Sequence, residues 1–245
     1  METHALHEPH SSTRLHMVQK GIAAGFPIML GYLPVALTYG VLAGQSGMSN
    51  LELTLMSVLV FAGAAQFLAV GMVAAGTGFI EIITATFVLN FRHFVMGLSF
   101  VNRLKTIALR AKLPLTLGLT DETFTVSALY KKEASEPYGA YFYASLMLTA
   151  YASWVGGSFM GGVLGDVIPA KLSDSMGVAL YAMFIGLLIP SVKRNGRIAI
   201  IAVTALLINA LCQSVGMNQG WAIVAGTLAG GLSGIWLLEE EEEEE

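Results

Sequence analysis

The chain has 245 residues, of which 55% are hydrophobic and only 12% are charged, and its mean hydropathy is +0.66. Soluble domains carry about 25% charged residues, so this composition excludes an ordinary soluble domain and predicts a membrane protein. The formal net charge of −4 is misleading, because seven of the seventeen acidic residues form the terminal run Glu239–Glu245. The rest of the chain is slightly basic.

The two ends of the chain differ from its body. Residues 1–19 hold four of the five histidines, and their composition predicts a disordered cytoplasmic tail. The irregular spacing of these histidines argues against a metal site. The acidic run at 239–245 is predicted to be a solvated tail, which leaves residues 20–238 as the transmembrane domain.

The body contains eight apolar segments, each of which is a candidate membrane helix. A crossing takes about 20 apolar residues, and long segments without period-two alternation are typical of helices. We therefore predict an all-α, polytopic integral membrane bundle with seven or eight hydrophobic segments. They lie near 21–44, 51–75, 79–100, 113–130, 139–163, 177–192, 197–213 and 219–238.

Two of these segments share an irregular pattern. Residues 26–41 and 113–128 align with four identities, which pair Pro27 with Pro114, Leu30 with Leu117, Gly31 with Gly118 and Thr38 with Thr125. Proline and glycine free backbone groups, and such breaks are tolerated where they are buried in protein or line a cavity. The pattern predicts an internal repeat with broken helices, which indicate a binding site near the membrane midplane.

The basic residues lie in four clusters, and the positive-inside rule places all four in the cytoplasm. The clusters are Arg14 with Lys20, residues 103–112, Lys131 with Lys132, and residues 193–197. This orientation is satisfied if segments 21–44 and 113–130 both enter and leave on one side. If both cross fully, one cluster lies outside, and the sequence leaves both arrangements open.

An arginine and a histidine stand side by side in the stretch NFRHFVMGLSF, residues 90–100. A charge within a membrane helix is costly, so Arg92 is expected to face the bundle interior or water and to have a partner. The alternative is that the helix ends early and Arg92 reaches the interface. Eight mainly apolar residues, 94–101, follow His93 and argue against it.

A second polar cluster, Thr120 to Thr125, follows Gly118. Adjacent acids are costly in an apolar segment, so Asp121 and Glu122 are expected where the helix is broken. Thr120 or Asp121 is expected to cap a half-helix that starts there. For Asp121 and Glu122 together we favour a functional role, because a carboxylate in low dielectric has a raised pKa and one near Arg92 or His93 could exchange protons near neutral pH.

Other small and polar residues have two interpretations. Gln66, in GAAQF, is either a hydrogen-bonding contact between helices or a cavity ligand. Two glycine ridges indicate close helix contacts, within the chain or with another copy in a homo-oligomer. They are Gly157, Gly161, Gly165 and Gly226, Gly230, Gly234.

Motifs for other chemistry are absent from the sequence. It has no GxxxxGK phosphate loop, no HExxH zinc motif and no GxSxG nucleophile elbow. Nothing in it indicates nucleic-acid binding or a cofactor. We therefore predict a protein that is not an enzyme.

Four motifs in order, GYLPVALTYGVLA, FAGAAQF, NFRHFVMGLSF and GLTDETF, resemble the AzlC family of branched-chain amino acid exporters. The resemblance implies a multi-pass permease of the cytoplasmic membrane that exports valine, leucine or isoleucine. It also implies a partner, the small hydrophobic AzlD subunit. Two other functions stay open: a gated channel for another small solute, and a structural subunit whose partner carries the path.

An amino acid substrate gives the polar residues specific roles. Arg92 is expected to bind the carboxylate and Asp121 or Glu122 the ammonium group, with Gln66 and the carbonyls freed at Gly31 and Gly118 completing the site. If protons drive export, His93, Asp121 and Glu122 are the candidate carriers.

Overall fold

The computed structural model describes residues 13–165 and 188–242, together with Val178, Ile185 and Gly186. Regular structure in the described residues is helical, which confirms the predicted all-α class. The helices are α1 Arg14–Gln45, α2 Asn50–Leu59, α3 Gly63–Ala74, α4 Phe79–Arg103, α5 Leu109–Thr116, α6 Asp121–Leu129, α7 Gly139–Leu164, α8 Arg197–Ser214 and α9 Gln219–Glu242, with a 3-10 helix at Lys131–Ser135.

Four helices of the described residues are long and apolar enough to cross a membrane. They are α1, α4, α8 and residues Gln219–Leu237 of α9. Many large apolar side chains on them are exposed, as expected of residues that face lipid; in α4 they include Phe87, Phe91, Phe94 and Leu98. The predicted segment 139–163 corresponds to α7, and half of segment 177–192 lies outside the described residues.

The break predicted in the first segment is wrong. Residues 14–45 form one continuous helix, with Pro27, Gly31 and Pro34 inside it. A proline removes one backbone hydrogen bond and kinks a helix, but it does not end a membrane helix whose freed carbonyl finds other partners. The breaks lie elsewhere: residues 60–62 separate α2 from α3, and residues 117–120 separate α5 from α6. The second of these is the break that was predicted beside Gly118.

The predicted ends of the membrane domain also differ from the structure. α1 begins at Arg14, so residues 14–19 are helical and do not belong to a disordered tail. α9 continues to Glu242 and includes part of the acidic run that was predicted as a separate tail. Residues 1–12 and 243–245 lie outside the described residues.

The chain divides into two compact units. The first has the residues up to Tyr32 together with His93–Trp154, and the second has Leu33–Arg92 together with the residues from Val155 onward. α1, α4 and α7 each contribute one part to each unit. The core of the first unit packs side chains of all its helices, with Met17, Phe100, Leu119, Phe142 and Met147 among its buried members.

Basic residues gather at one end of the first unit. Lys20 Nζ lies 2.7 Å from Glu133 Oε1, which joins the start of α1 to the 3-10 helix. The Thr106 hydroxyl, before α5, donates to the carbonyl of Ala134, after α6. The two ends of the α5–α6 hairpin (residues 109–129) therefore meet, and the basic clusters around Lys20, Arg103 and Lys131 lie at the same end of this unit.

The glycine ridges pack inside the second unit. A methyl group added at Gly157 would lie 2.7 Å from Ala36 Cβ, and one added at Gly161 would collide with the Leu37 carbonyl, both in α1. The second ridge faces α8, because a methyl group added at Gly230 would lie 2.8 Å from Ala205 Cβ. Both ridges therefore serve close contacts between helices of this chain.

Candidate functional site

The break between α5 and α6 is closed by a capping box of two threonines. The Thr120 side chain accepts a hydrogen bond from the Thr123 N–H at 3.2 Å, and the Thr120 N–H donates to Thr123 Oγ1 at 2.8 Å. The Thr123 hydroxyl also donates to the Gly118 carbonyl at 3.0 Å. This geometry confirms the predicted cap at Thr120, and it satisfies backbone groups that the break frees.

A tyrosine of α1 completes this cluster. Tyr32 Oη lies 2.5 Å from Glu122 Oε2 and 2.6 Å from Thr120 Oγ1. The Tyr32 hydroxyl is the donor towards both oxygens, and because a phenol has one proton it donates to one of them at a time. The result is a continuous chain of hydrogen bonds from Thr123 through Thr120 and Tyr32 to the carboxylate.

The cluster is enclosed by apolar side chains. The Trp154 ring meets the Tyr32 ring edge to face, with centroids 5.5 Å apart, and both residues are buried. A methyl group added at Gly118 would lie 2.8 Å from Met147 Cβ, so the break packs tightly on α7. A charge-assisted hydrogen bond in such low-dielectric surroundings is stronger than the same bond in water.

Asp121 and Glu122 share the first turn of α6 but differ in their contacts. Both are half-buried, and Glu122 receives the Tyr32 hydrogen bond. The backbone carbonyl of Asp121 accepts from the Thr125 hydroxyl at 2.7 Å. Glu122 is therefore the acid that joins α6 to α1.

The second break, between α2 and α3, carries a neutral polar network. Gln66 Nε2 donates to Ser57 Oγ at 2.9 Å, and the Ser57 hydroxyl donates to Ser158 Oγ at 2.8 Å. All three side chains are fully buried and come from α3, α2 and α7. Gln66 therefore makes hydrogen bonds between helices, as one of its two interpretations predicted.

A second tyrosine of α1 lies beside this network. The Tyr39 hydroxyl donates to the Leu53 carbonyl at 3.2 Å, and the Tyr39 and Phe67 rings meet edge to face with centroids 5.7 Å apart. Each unit thus pairs one α1 tyrosine with one helix break.

The arginine and histidine lie within α4. The helix continues to Arg103, so the alternative in which it ends near Arg92 is excluded. Both side chains are half-buried. Arg92 belongs to the second unit, with Gln66, and His93 belongs to the first unit, with Gly118, Asp121 and Glu122.

Gly31 does not supply the carbonyl expected from a break. It lies in the continuous part of α1, it is exposed, and a methyl group added there would meet nothing within 4 Å.

The sequence interpretation did not include Tyr32, Trp154, Ser57 and Ser158. The spacing of Tyr32 from Tyr39 does indicate a shared role, because the two tyrosines are seven residues apart in an apolar segment and therefore share a helix face. Trp154 and Ser158 are likewise four apart in α7. Within the described residues, no group of three or more His, Cys, Asp or Glu could hold a metal ion.

Together, these features define a helical membrane protein with polar clusters at two helix breaks. The profile of the AzlC family, described as "AzlC protein", matches residues 27–168, and the chain belongs to this family.

Relatives of the chain are also membrane proteins. An uncharacterized membrane protein of Archaeoglobus fulgidus is 33% identical over 93% of this chain and 98% of its own length. The inner membrane protein YgaZ of Escherichia coli is 28% identical over 88% of this chain and 89% of its own. The branched-chain amino acid transport protein AzlC of Bacillus subtilis is 26% identical over 65% of this chain and 61% of its own. No solved structure matches the chain.

Proposed function

We propose that this protein is a permease that exports branched-chain amino acids across the cytoplasmic membrane. The observation that carries the proposal is the contact between Tyr32 and Glu122 at the α5–α6 break, because it holds an acid among buried side chains of an apolar bundle. Intramembrane acids of this kind mark substrate and proton paths. The name of the Bacillus subtilis relative, a branched-chain amino acid transport protein, supports the substrate class.

The site residues match the chemistry of a zwitterion. The ammonium group needs anionic or carbonyl oxygens, which Asp121, Glu122 and the Gly118 carbonyl supply. The carboxylate needs a cation, and Arg92 is the residue we assign to it. Gln66 offers an amide at the second break. Gly31 is proposed to line the site on α1 without binding through its carbonyl, since no helix break frees that carbonyl.

Proton influx is the proposed driving force. Protonation of Glu122 removes the negative charge that pairs with the ammonium group and adds an O–H donor to the carboxyl. Proton binding and substrate binding at Glu122 are therefore mutually exclusive, as coupled exchange demands. Asp121 and His93, which belong to the same unit, are the further candidate carriers.

The proposed topology is multi-pass, with seven or eight hydrophobic segments and the basic end of the first unit in the cytoplasm. α5 and α6 have eight and nine residues, so at 1.5 Å per residue neither spans a core of about 30 Å. Their ends meet at the basic end, which supports a hairpin that enters from the cytoplasm and returns. A small AzlD-like subunit is the proposed partner.

A cell assay tests the site. Cells that lack their own exporter are loaded with valine-containing dipeptide, and valine excretion is measured at equal membrane abundance of each variant. We expect Arg92→Ala and Glu122→Gln to lose excretion and Arg110→Ala, an exposed arginine of α5, to keep it. Unchanged excretion by Arg92→Ala would remove that residue from the site. Excretion by wild type that never saturates would favour a channel instead.

A further inference from the structure

A cavity of about 160 Å³ lies at the basic end of the first unit. Its floor is apolar and buried, formed by Phe100, Leu104 and Tyr143. Its rim carries two exposed cations, Arg103 and Lys131. A cavity of about 150 Å³ in another protein is known to take up benzene, so this one has room for a small molecule of similar size.

One buried polar atom in the cavity wall has no partner. Ser127 is 6% exposed and lines the cavity, and its Oγ makes no hydrogen bond among the described residues. Other helical hydroxyls do donate to a carbonyl three or four residues back, as Thr125 and Ser145 show. Leaving a buried hydroxyl without a partner is costly, so this one is placed to bind a ligand or a water.

The charges around the cavity favour an anion. Glu133, which precedes the lining residue Ala134, is paired with Lys20, with 2.7 Å between its Oε1 and the Lys20 Nζ. Arg103 lies over the Phe124 ring, 4.7 Å from its centroid, which fixes the guanidinium beside the cavity. Two cations and a hydroxyl donor therefore surround an apolar floor.

The cavity and the hydrogen-bonded group of Tyr32, Thr120, Thr123 and Glu122 both include residues of α6. Ser127 follows Thr123 by four residues, so both lie on the same face of α6, one turn apart. Thr123 belongs to the capping box that contacts Tyr32 through Thr120.

We propose that this cavity binds a small carboxylate with an apolar body, and that it is the first site at which the substrate meets the protein. The carboxylate receives one hydrogen bond from the Ser127 hydroxyl and is paired with Arg103 and Lys131, while the apolar body lies against Phe100 and Tyr143. This inference rests on the proposed function for the identity of its ligand, but the binding chemistry is a property of the cavity alone.

Equilibrium dialysis of the purified full chain in nanodiscs tests the site with two radiolabelled probes. 4-Methylpentanoate has the carboxylate and apolar body of leucine without its ammonium group, and 3-methylbutylamine has the reverse. We expect the acid to bind, the amine not to bind, and leucine to displace the acid. Because the rim cations are exposed, binding of the acid should weaken as salt rises. An amine that binds as tightly as the acid would overturn the proposal.

Variants identify the residues. Ser127→Ala should weaken binding of the acid about tenfold, as expected for a hydrogen bond to a charged group. Arg103→Gln and Lys131→Gln should each weaken it, whereas Arg110→Gln removes the same charge outside the cavity and should not. Binding unchanged in Ser127→Ala and Arg103→Gln would show that water alone occupies the cavity and would overturn the proposal.

The two proposals fail separately. If the wild-type chain binds 4-methylpentanoate with this pattern but does not export valine or leucine, the cavity stands and the proposed function is wrong. If export is intact and the Ser127 and Arg103 variants bind and export as wild type, the cavity proposal is wrong and the proposed function stands.

Discussion

Tyr32 and Glu122 are 90 residues apart in the chain, and their side-chain oxygens are 2.5 Å apart in the fold. The contact joins the middle of α1 to the first turn of α6. It gives the phenol a strong acceptor and holds the acid in one orientation. The proposed coupling between substrate and proton depends on this contact.

Removing the phenol hydroxyl tests that dependence. Tyr32→Phe keeps the ring that meets Trp154 and removes the donor to Glu122. We expect valine export to fall about tenfold, the value of one hydrogen bond to a charged group. Tyr141→Phe is the matched control, since this exposed tyrosine lies at the basic end, and it should export as wild type. Equal export by the two variants would contradict the role of Tyr32.

Neutralising Glu122 should separate coupling from movement. Glu122→Gln keeps the size and one acceptor oxygen but cannot carry a proton at this site. We expect pH-driven accumulation of valine to be lost while exchange of valine for valine persists at a reduced rate. Glu136→Gln, in the exposed loop before α7, is the control for the change in charge. Accumulation by Glu122→Gln at the wild-type level would exclude Glu122 as the carrier.

The capping box makes a prediction about stability. Thr120→Ala removes the cap of α6 and a partner of Tyr32, so we expect a loss of about 1–2 kcal/mol, seen as a lower melting temperature of the purified protein. Thr120→Ser keeps the hydroxyl and should therefore keep most of the wild-type stability. Thr125→Ala, which removes an exposed hydroxyl of the same helix, should change stability by under about 0.5 kcal/mol. A Thr120→Ala protein as stable as the Thr125→Ala protein would contradict the cap.

Two glycines of α7 should respond to alanine substitution in opposite directions. Gly161→Ala places a methyl group against the Leu37 carbonyl, a backbone atom that cannot rotate away, and should cost about 1–3 kcal/mol. Gly156→Ala meets nothing within 4 Å and should gain up to about 1 kcal/mol from helix propensity. Thermal denaturation of the two variants measures the expected loss of stability in the first and the expected gain in the second. Similar melting temperatures would show that the glycine ridge is not closely packed.

The α5–α6 hairpin can be tested by labelling. Lys105→Cys and Ser135→Cys, each in a Cys212→Ser background, place a thiol at either end of the hairpin, and both positions are exposed. A membrane-impermeant maleimide should label both in inside-out vesicles and neither in intact cells. Permeabilised cells are the control for thiol reactivity. Labelling of one position from each side would mean that residues 109–129 cross the membrane.

The sequence predicts those features that depend on local chemistry. The all-α class follows from apolar segments of sufficient length, and the cap at Thr120 follows from threonine beside acids after Gly118. Both glycine ridges were expected to make close helix contacts, because a repeat of four residues places them on one face.

Features that depend on tertiary packing were missed. The break at residues 60–62 has no proline, and α1 is continuous despite having two. A proline costs one backbone hydrogen bond, and the surrounding helices decide whether the chain continues. The pairing of Tyr32 with Glu122 joins distant segments, and no periodicity in the sequence connects them.

Valine uptake into inside-out proteoliposomes, with and without an imposed pH gradient, tests the central claim most directly. These vesicles present the cytoplasmic side outward, so export appears as uptake. Proton-coupled export predicts saturable uptake of valine above its external concentration when the lumen is acidic, because protons leaving the lumen drive valine in. Uptake that only equalises the two concentrations, whatever the gradient, would contradict proton-coupled export.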